Sequence, residues 1–166
     1  VDSTLVKNAS LQPILALHMD GRLEEAHDAY VSYFEQNEID YPALNMFAIC
    51  CMALGRFAKA KGLFEHIVQN APMIEEATLY LAECHIELRE ADAALGILLE
   101  PCNDDNVDYK AHILAARAHI LKDNQVAALH CLETAGKLAS DNPDILLVVA
   151  ALHIACKNTE AALEIY

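Results

Sequence analysis

Three histidines recur at one register. His85, His119 and His153 are spaced 34 residues apart, and imidazole is the side chain that binds metals and moves protons near neutral pH. Cys50 and Cys51 are adjacent, as a redox pair would be. Cys84 and His85 lie between Glu83 and Glu87, so a nucleophile, a base and two acids are close in sequence. Each constellation meets a geometric objection. Equivalent positions of packed helices lie about 10 Å apart, too far to share one ion at about 2 Å per ligand. Adjacent residues on a helix point about 100° apart, which disfavours a Cys50–Cys51 bridge and scatters Cys84, His85 and the two glutamates. The chain has no phosphate-binding loop, no Gly-x-Ser-x-Gly and no His-Glu-x-x-His. No catalytic residue, metal site or cofactor is therefore expected. The histidines are expected to fill slots between helices, and the cysteines to be core thiols.

The elements that position these residues repeat. Ala26, Ala60, Ala94, Ala128 and Ala162 are each 34 residues apart, as are Tyr30, Phe64, Leu98, Leu132 and Tyr166. Within each period, apolar residues at helical spacing predict two amphipathic helices. In 41–74 the first carries Leu44, Phe47, Ala48, Cys51 and Leu54, with Pro42 in its first turn. The second carries Phe57, Ala60, Phe64, Ile67 and Val68. Asp20-Gly21 and Gly55 supply the left-handed conformation that ends a helix. Arg89 stands at that place in the third copy and Asp123-Asn124 in the fourth, where Asn124 is the better candidate for a left-handed backbone. The first helix is capped either at Asp2 or Ser3, or at Ser10. Pro13 suits a first turn and would kink a helix interior. Pro101 should end its helix early, with a polar loop following from Cys102 to Asn106. The expected array is 7–40, 41–74, 75–108 and 109–142, with an incomplete copy at 143–166. No polar cap covers the last helix, so the chain is expected to be a fragment of a longer protein or to have its end covered by another surface.

Composition excludes several partners. Net charge is −14, unsuited to nucleic acid or anionic membranes. No apolar run is long enough to span a bilayer. Six cysteines in a chain rich in apolar residues and without a secretory signal read as buried free thiols in a reducing, cytoplasmic setting. Charge is banded: 75–108 holds ten acidic residues against Arg89 alone, a net −9. This band either keeps the array soluble or steers a basic partner.

The period with two helices per copy resembles the tetratricopeptide repeat family over about 7–166. The best copy matches through Phe47, Ala48, Cys51, Gly55, Phe57, Ala60, Phe64, Ile67 and Pro72. The family's usual Trp is replaced by Ser10, Leu44, Thr78, His112 and Leu146, and its usual Tyr by Leu17, Cys51, His85, His119 and His153. The resemblance implies an all-α, right-handed superhelical solenoid of antiparallel helix pairs. It also implies a concave groove that binds peptides or helices. Carried over, the groove residues are Asn45, Ile49, Met52, Leu79, Glu83, Ile86, Lys110, Ile113, Arg117 and Ile120, with Ala53, Glu76, Glu87 and Leu121 in the same rows. Met46, Tyr80 and Leu114 lie beside them. The Lys/Asn/Arg set that grips a C-terminal carboxylate is reduced to Asn45 and Lys110, so that mode is not expected. The implied function is a scaffold holding an apolar or amphipathic protein segment, a basic one included, with Glu83 and Arg117 as the groove's charges. The alternatives are a substrate-selecting arm of a larger enzyme, such as a protein glycosyltransferase, and homo-oligomeric self-assembly through the uncovered last helix.

Overall fold

The computed structural model describes residues 3–99, 102 and 108–156. Among them are nine helices and no strand: α1 Ser3–Met19, α2 Leu23–Gln36, α3 Tyr41–Ala53, α4 Phe57–Asn70, α5 Glu76–Glu87, α6 Ala91–Leu98, α7 Tyr109–Leu121, α8 Gln125–Leu138 and α9 Pro143–Ala155. The architecture is all-α helical repeat, as the period implies. The stop at Pro101, the loop residues Asn103–Asn106 and the fifth copy beyond Cys156 lie outside the described residues. The chain forms two compact units, Val1–Tyr80 and Leu81–Tyr166.

Both units follow one packing rule. Ala26, Ala60, Ala94 and Ala128 are fully buried, and so are Ala48, Ala82, Ala116 and Ala150. A methyl group at these places lets neighbouring helices approach closely. The large partners Tyr30, Phe64, Leu98 and Leu132 are buried to within 1%. Removing one such side chain from water is worth about 1.5–3 kcal/mol. In the first unit Tyr30 stacks on Phe47 at 5.3 Å and Phe34 lies 6.0 Å from the same ring. Lys59 caps that ring at 4.8 Å and reaches His27 Nε2 at 2.8 Å. In the second unit Ala116, Ala128, Leu132, Ala135, Val149 and Cys156 make one cluster, flanked by Ile113, Ile120, Leu129, Ile145 and Leu152.

The joints are uniform although their sequences are not. At each, the residue in the left-handed conformation donates its amide to a carbonyl three residues back, and the next amide reaches a carbonyl five back. These paired bonds satisfy carbonyls that a helix end leaves open. The left-handed residues are Gly21 (φ 74°), Gly55 (φ 71°), Arg89 (φ 65°) and Asp123 (φ 55°). The fourth joint corrects the expectation for Asn124: Asp123 takes the strained conformation, and Asn124 caps α8 by accepting from Ala127 N at 3.3 Å. Ser10 starts no helix, because α1 already runs from Ser3 and holds Pro13 in its interior. Asp40, Asp108 and Asn142, at multiples of 34 from one another, cap α3, α7 and α9 through their side chains. Pro42 and Pro143 sit in the first turns of α3 and α9, where no amide is needed.

A left-handed backbone costs a non-glycine residue roughly 1–2 kcal/mol, while glycine gains entropy on unfolding. Arg89→Gly should therefore stabilise the chain by about 1 kcal/mol. Gly55→Ala should destabilise it by about 1–2 kcal/mol. No atom lies within 4 Å of an added Cβ at Gly55, so that cost is conformational alone. Urea midpoints at constant m-value measure both, and a more stable Gly55→Ala variant contradicts the joint as described.

Candidate partner-binding site

The charged residues of the expected groove meet in the second unit. Glu83 and Glu87 are four apart on α5 and so share a face. Arg117 lies 34 residues after Glu83, at the same register on α7. Its guanidinium donates to Glu83 Oε1 at 3.1 Å through Nη1 and to Glu87 Oε1 at 2.5 Å through Nη2. The three side chains are about one-third exposed, so the network is ordered yet wetted. Each bond then contributes less than it would in a dry interior. Beside the network opens a cleft of about 290 Å³, lined by Ile86, Glu87, Arg89, Arg117, Ile120, Leu121, Leu152 and Ala155.

The groove residues fall into distinct roles. Ile86 and Leu114 are 5% and 7% exposed and offer little surface. Ile113 and Ile120 are half-buried and pack against the core cluster. Lys110 is exposed, in the first turn of α7. In the first unit Asn45, Met46, Ile49 and Met52 are half-buried on α3, and Asn45 Oδ1 is buried without a hydrogen-bond partner. Leu79 is half-buried, and Tyr80 stacks its ring on Phe64 at 5.4 Å, so Tyr80 serves packing. Leu152 and Ala155 of α9 were not read from the sequence as groove residues. The period held the signal: Ala155 is 34 residues after Leu121.

The constellations that could do chemistry are taken apart by the fold. Cys84 is fully buried, His85 binds Glu90 Oε2 at 2.6 Å, and Glu83 and Glu87 face Arg117. Cys50 and Cys51 are fully buried free thiols, and Cys50 Sγ donates to the Leu23 carbonyl at 3.4 Å. Burial pushes both thiols up, Cys51 to about 11, and their complete enclosure leaves an oxidant no approach to either sulfur. Among the described residues no group of three or more His, Cys, Asp and Glu is arranged to hold a metal ion. His112, His119 and His153 sit in the second unit. Burial lowers all three below the usual imidazole value, helped at His112 by His130 and at His119 by Lys122. His112 Nε2, His119 Nδ1 and His153 Nδ1 are buried and lack hydrogen-bond partners, so a proton there would find no acceptor.

No protein-family model and no curated protein matches the sequence. Solved structures do match. A thermophilic tetratricopeptide-repeat protein of Thermus thermophilus superposes with a TM-score of 0.76 at 20% identity, covering 96% of this chain and 88% of its own. MamA of Desulfovibrio magneticus, from its residue 41 onward, gives 0.78 at 15% identity over 96% and 90%. A tetratricopeptide repeat protein of Parabacteroides merdae gives 0.82 at 15% identity over 96% and 62%. At such identities the likeness is one of fold. No helix among the described residues is long and apolar enough to cross a membrane.

The buried histidines make stability depend on pH. With folded-state values below 6.5, the unfolded chain binds more protons in that window. The stabilisation is complete above the unfolded value and is lost as pH falls through and below it. Urea midpoints should therefore be level above about pH 7 and fall toward about pH 5. His153→Gln should flatten the slope, and an unchanged slope in all three single His→Gln variants would remove these residues as its source.

Proposed function

We propose that this chain, which has the tetratricopeptide-repeat fold, is a protein-interaction module that seats an apolar side chain of a partner segment in the α5–α7–α9 cleft of the second unit. The observation that carries this reading is the cleft itself: apolar walls from Ile120, Leu121, Leu152 and Ala155, with an ordered charge network at the rim. Its volume of about 290 Å³ is at the bottom of the range for small-molecule sites. That size suits one or two side chains of a peptide better than a cofactor. Two carboxylates share one guanidinium there, and the chain as a whole carries −14, so a partner with basic residues flanking its apolar anchor is favoured. Glu83 and Arg117 hold the rim, Lys110 and Ile113 extend the contact along α7 with Leu114 buried beside them, and Ile86 lines the cleft with little of its own surface exposed. On the first unit, taken by itself, Asn45, Met46, Ile49, Met52 and Leu79 are proposed contacts, with Tyr80 held by Phe64 behind them.

A second reading, self-association, is favoured by one observation. α9 is apolar around its circumference and leaves Leu147, Val148 and Ile154 between 44% and 50% exposed. Light scattering over a concentration series separates the two readings, since only self-association makes the mass rise with concentration.

The test of the first reading uses a fluorescent amphipathic helical peptide of leucine and lysine, titrated into the full chain. Ala155→Arg places a long side chain in the cleft from an exposed position, so the helical signal should survive. Affinity should fall at least about tenfold, a loss of about 1.4 kcal/mol. Binding should also weaken as salt rises above about 0.1 M, where screening shortens the reach of the acidic field. Equal affinity for the native chain and the variant would sink the cleft as the anchor.

A further inference from the structure

The six cysteines divide by accessibility. Cys50, Cys51, Cys84 and Cys156 are between 0% and 5% exposed, whereas Cys102 and Cys131 are half-buried. These two thiols share one place. A second cleft of the second unit, about 250 Å³, is lined by both of them with Leu98, Leu99, Ala115 and His119 among its walls. Its position is fixed from two sides. The Cys102 amide donates to the Leu98 carbonyl at 3.0 Å, which holds Cys102 one turn beyond the end of α6. Cys131 immediately precedes the fully buried Leu132 on α8. Cys102 is thus tied to the end of α6 by a backbone bond and Cys131 is carried on α8, and the cleft that both line gives a small reagent access.

We infer that Cys102 and Cys131 form an oxidation site: a pair of thiols that a low-molecular-weight disulfide or comparable oxidant converts to one intramolecular bridge joining the end of α6 to α8. With oxidised glutathione, one cysteine thiolate attacks the glutathione disulfide. A mixed disulfide forms and one reduced glutathione leaves. The second thiolate then attacks the protein sulfur of that mixed disulfide and releases the second reduced glutathione. The protein loses two protons and two electrons, which depart in the two reduced glutathione molecules. Burial holds both thiols up, Cys102 to about 11 with the charge of Cys131 adding to it. At neutral pH the pair is therefore protonated and slow to react, so it stays reduced under mild conditions and converts only under sustained oxidation. The other four cysteines are shielded by packing and do not compete.

The experiment treats the reduced full chain with excess oxidised glutathione at one fixed alkaline pH. Free thiols are counted in the native state, and non-reducing proteolysis with mass spectrometry maps the bridges. The expected result is loss of two thiols and one cross-linked peptide pair holding Cys102 and Cys131. The other cysteines should stay free until denaturant is added. Cys102→Ser and Cys131→Ser should each abolish the cross-link while keeping the helical signal. Stable glutathione adducts on both cysteines without a bridge would overturn the inference, as would a bridge to any of the four buried cysteines.

Discussion

From α2 onward the packing within each unit leans on one steric constraint: a methyl group where neighbouring helices come closest. Ala48, Ala82, Ala116 and Ala150 on the first helices, with Ala26, Ala60, Ala94 and Ala128 on the second, show no exposure. Close approach at those points is what allows Tyr30, Phe64, Leu98 and Leu132 to be buried over their full area. The large residue varies between aromatic and aliphatic, while the small one is alanine at every described place except the first helix, where Ile14 holds the register of Ala48. That asymmetry follows from packing: a well-packed interior absorbs a change of shape more readily than an added methylene at a point of contact. With no Trp and few aromatics in the chain, the core relies on closeness rather than on bulky side chains.

Because this constraint is periodic in sequence, most of the fold was legible there. The alanines announce the period, and the helix limits follow from Pro42, Gly21 and Gly55. The other features were legible only in three dimensions. By type Asn124 is the better candidate for the left-handed backbone, yet Asp123 adopts it. The choice is made by the next helix, which needs a cap, and Asn124 fills that role. Ser10 is a good cap by type, yet it lies inside α1. The caps Asp40, Asp108 and Asn142 were periodic all along, but a short polar side chain between two helices reads equally well as plain loop.

The candidate site shows the same division. Register alone places Glu83 and Arg117 opposite each other, because positions 34 apart on successive first helices are neighbours. Their partnership, and the recruitment of Glu87, depends on side-chain reach, which register does not encode. Ile86 shares the register of Ile120, and Leu114 lies beside Ile113, but both are closed off by packing. Exposure at a repeat position depends on what covers it, and this differs from copy to copy. The surface that remains open is thus narrower than the register implies and extends further along the chain, to Leu152 and Ala155.

The histidine register shows how neighbouring requirements compete for one residue. Glu90 and Asn124 occupy the same place in successive copies, one residue past the joint. Glu90 has the longer side chain. Its carboxylate reaches back to His85 Nδ1 at 2.6 Å, and it makes no side-chain cap on α6. Asn124 is one methylene shorter and bonds forward to Ala127 N, so it caps α8 and leaves His119 Nδ1 without a partner. A cap is worth about 1 kcal/mol, and an unsatisfied buried nitrogen costs about 1–3 kcal/mol. The two joints therefore settle the same conflict in opposite ways at comparable free energy. In the third joint the histidine is satisfied and the helix start has no side-chain cap; in the fourth the helix is capped and the imidazole Nδ1 has no partner. The polar residues at this register are thus accommodated by local exchange of hydrogen bonds around a fixed alanine frame.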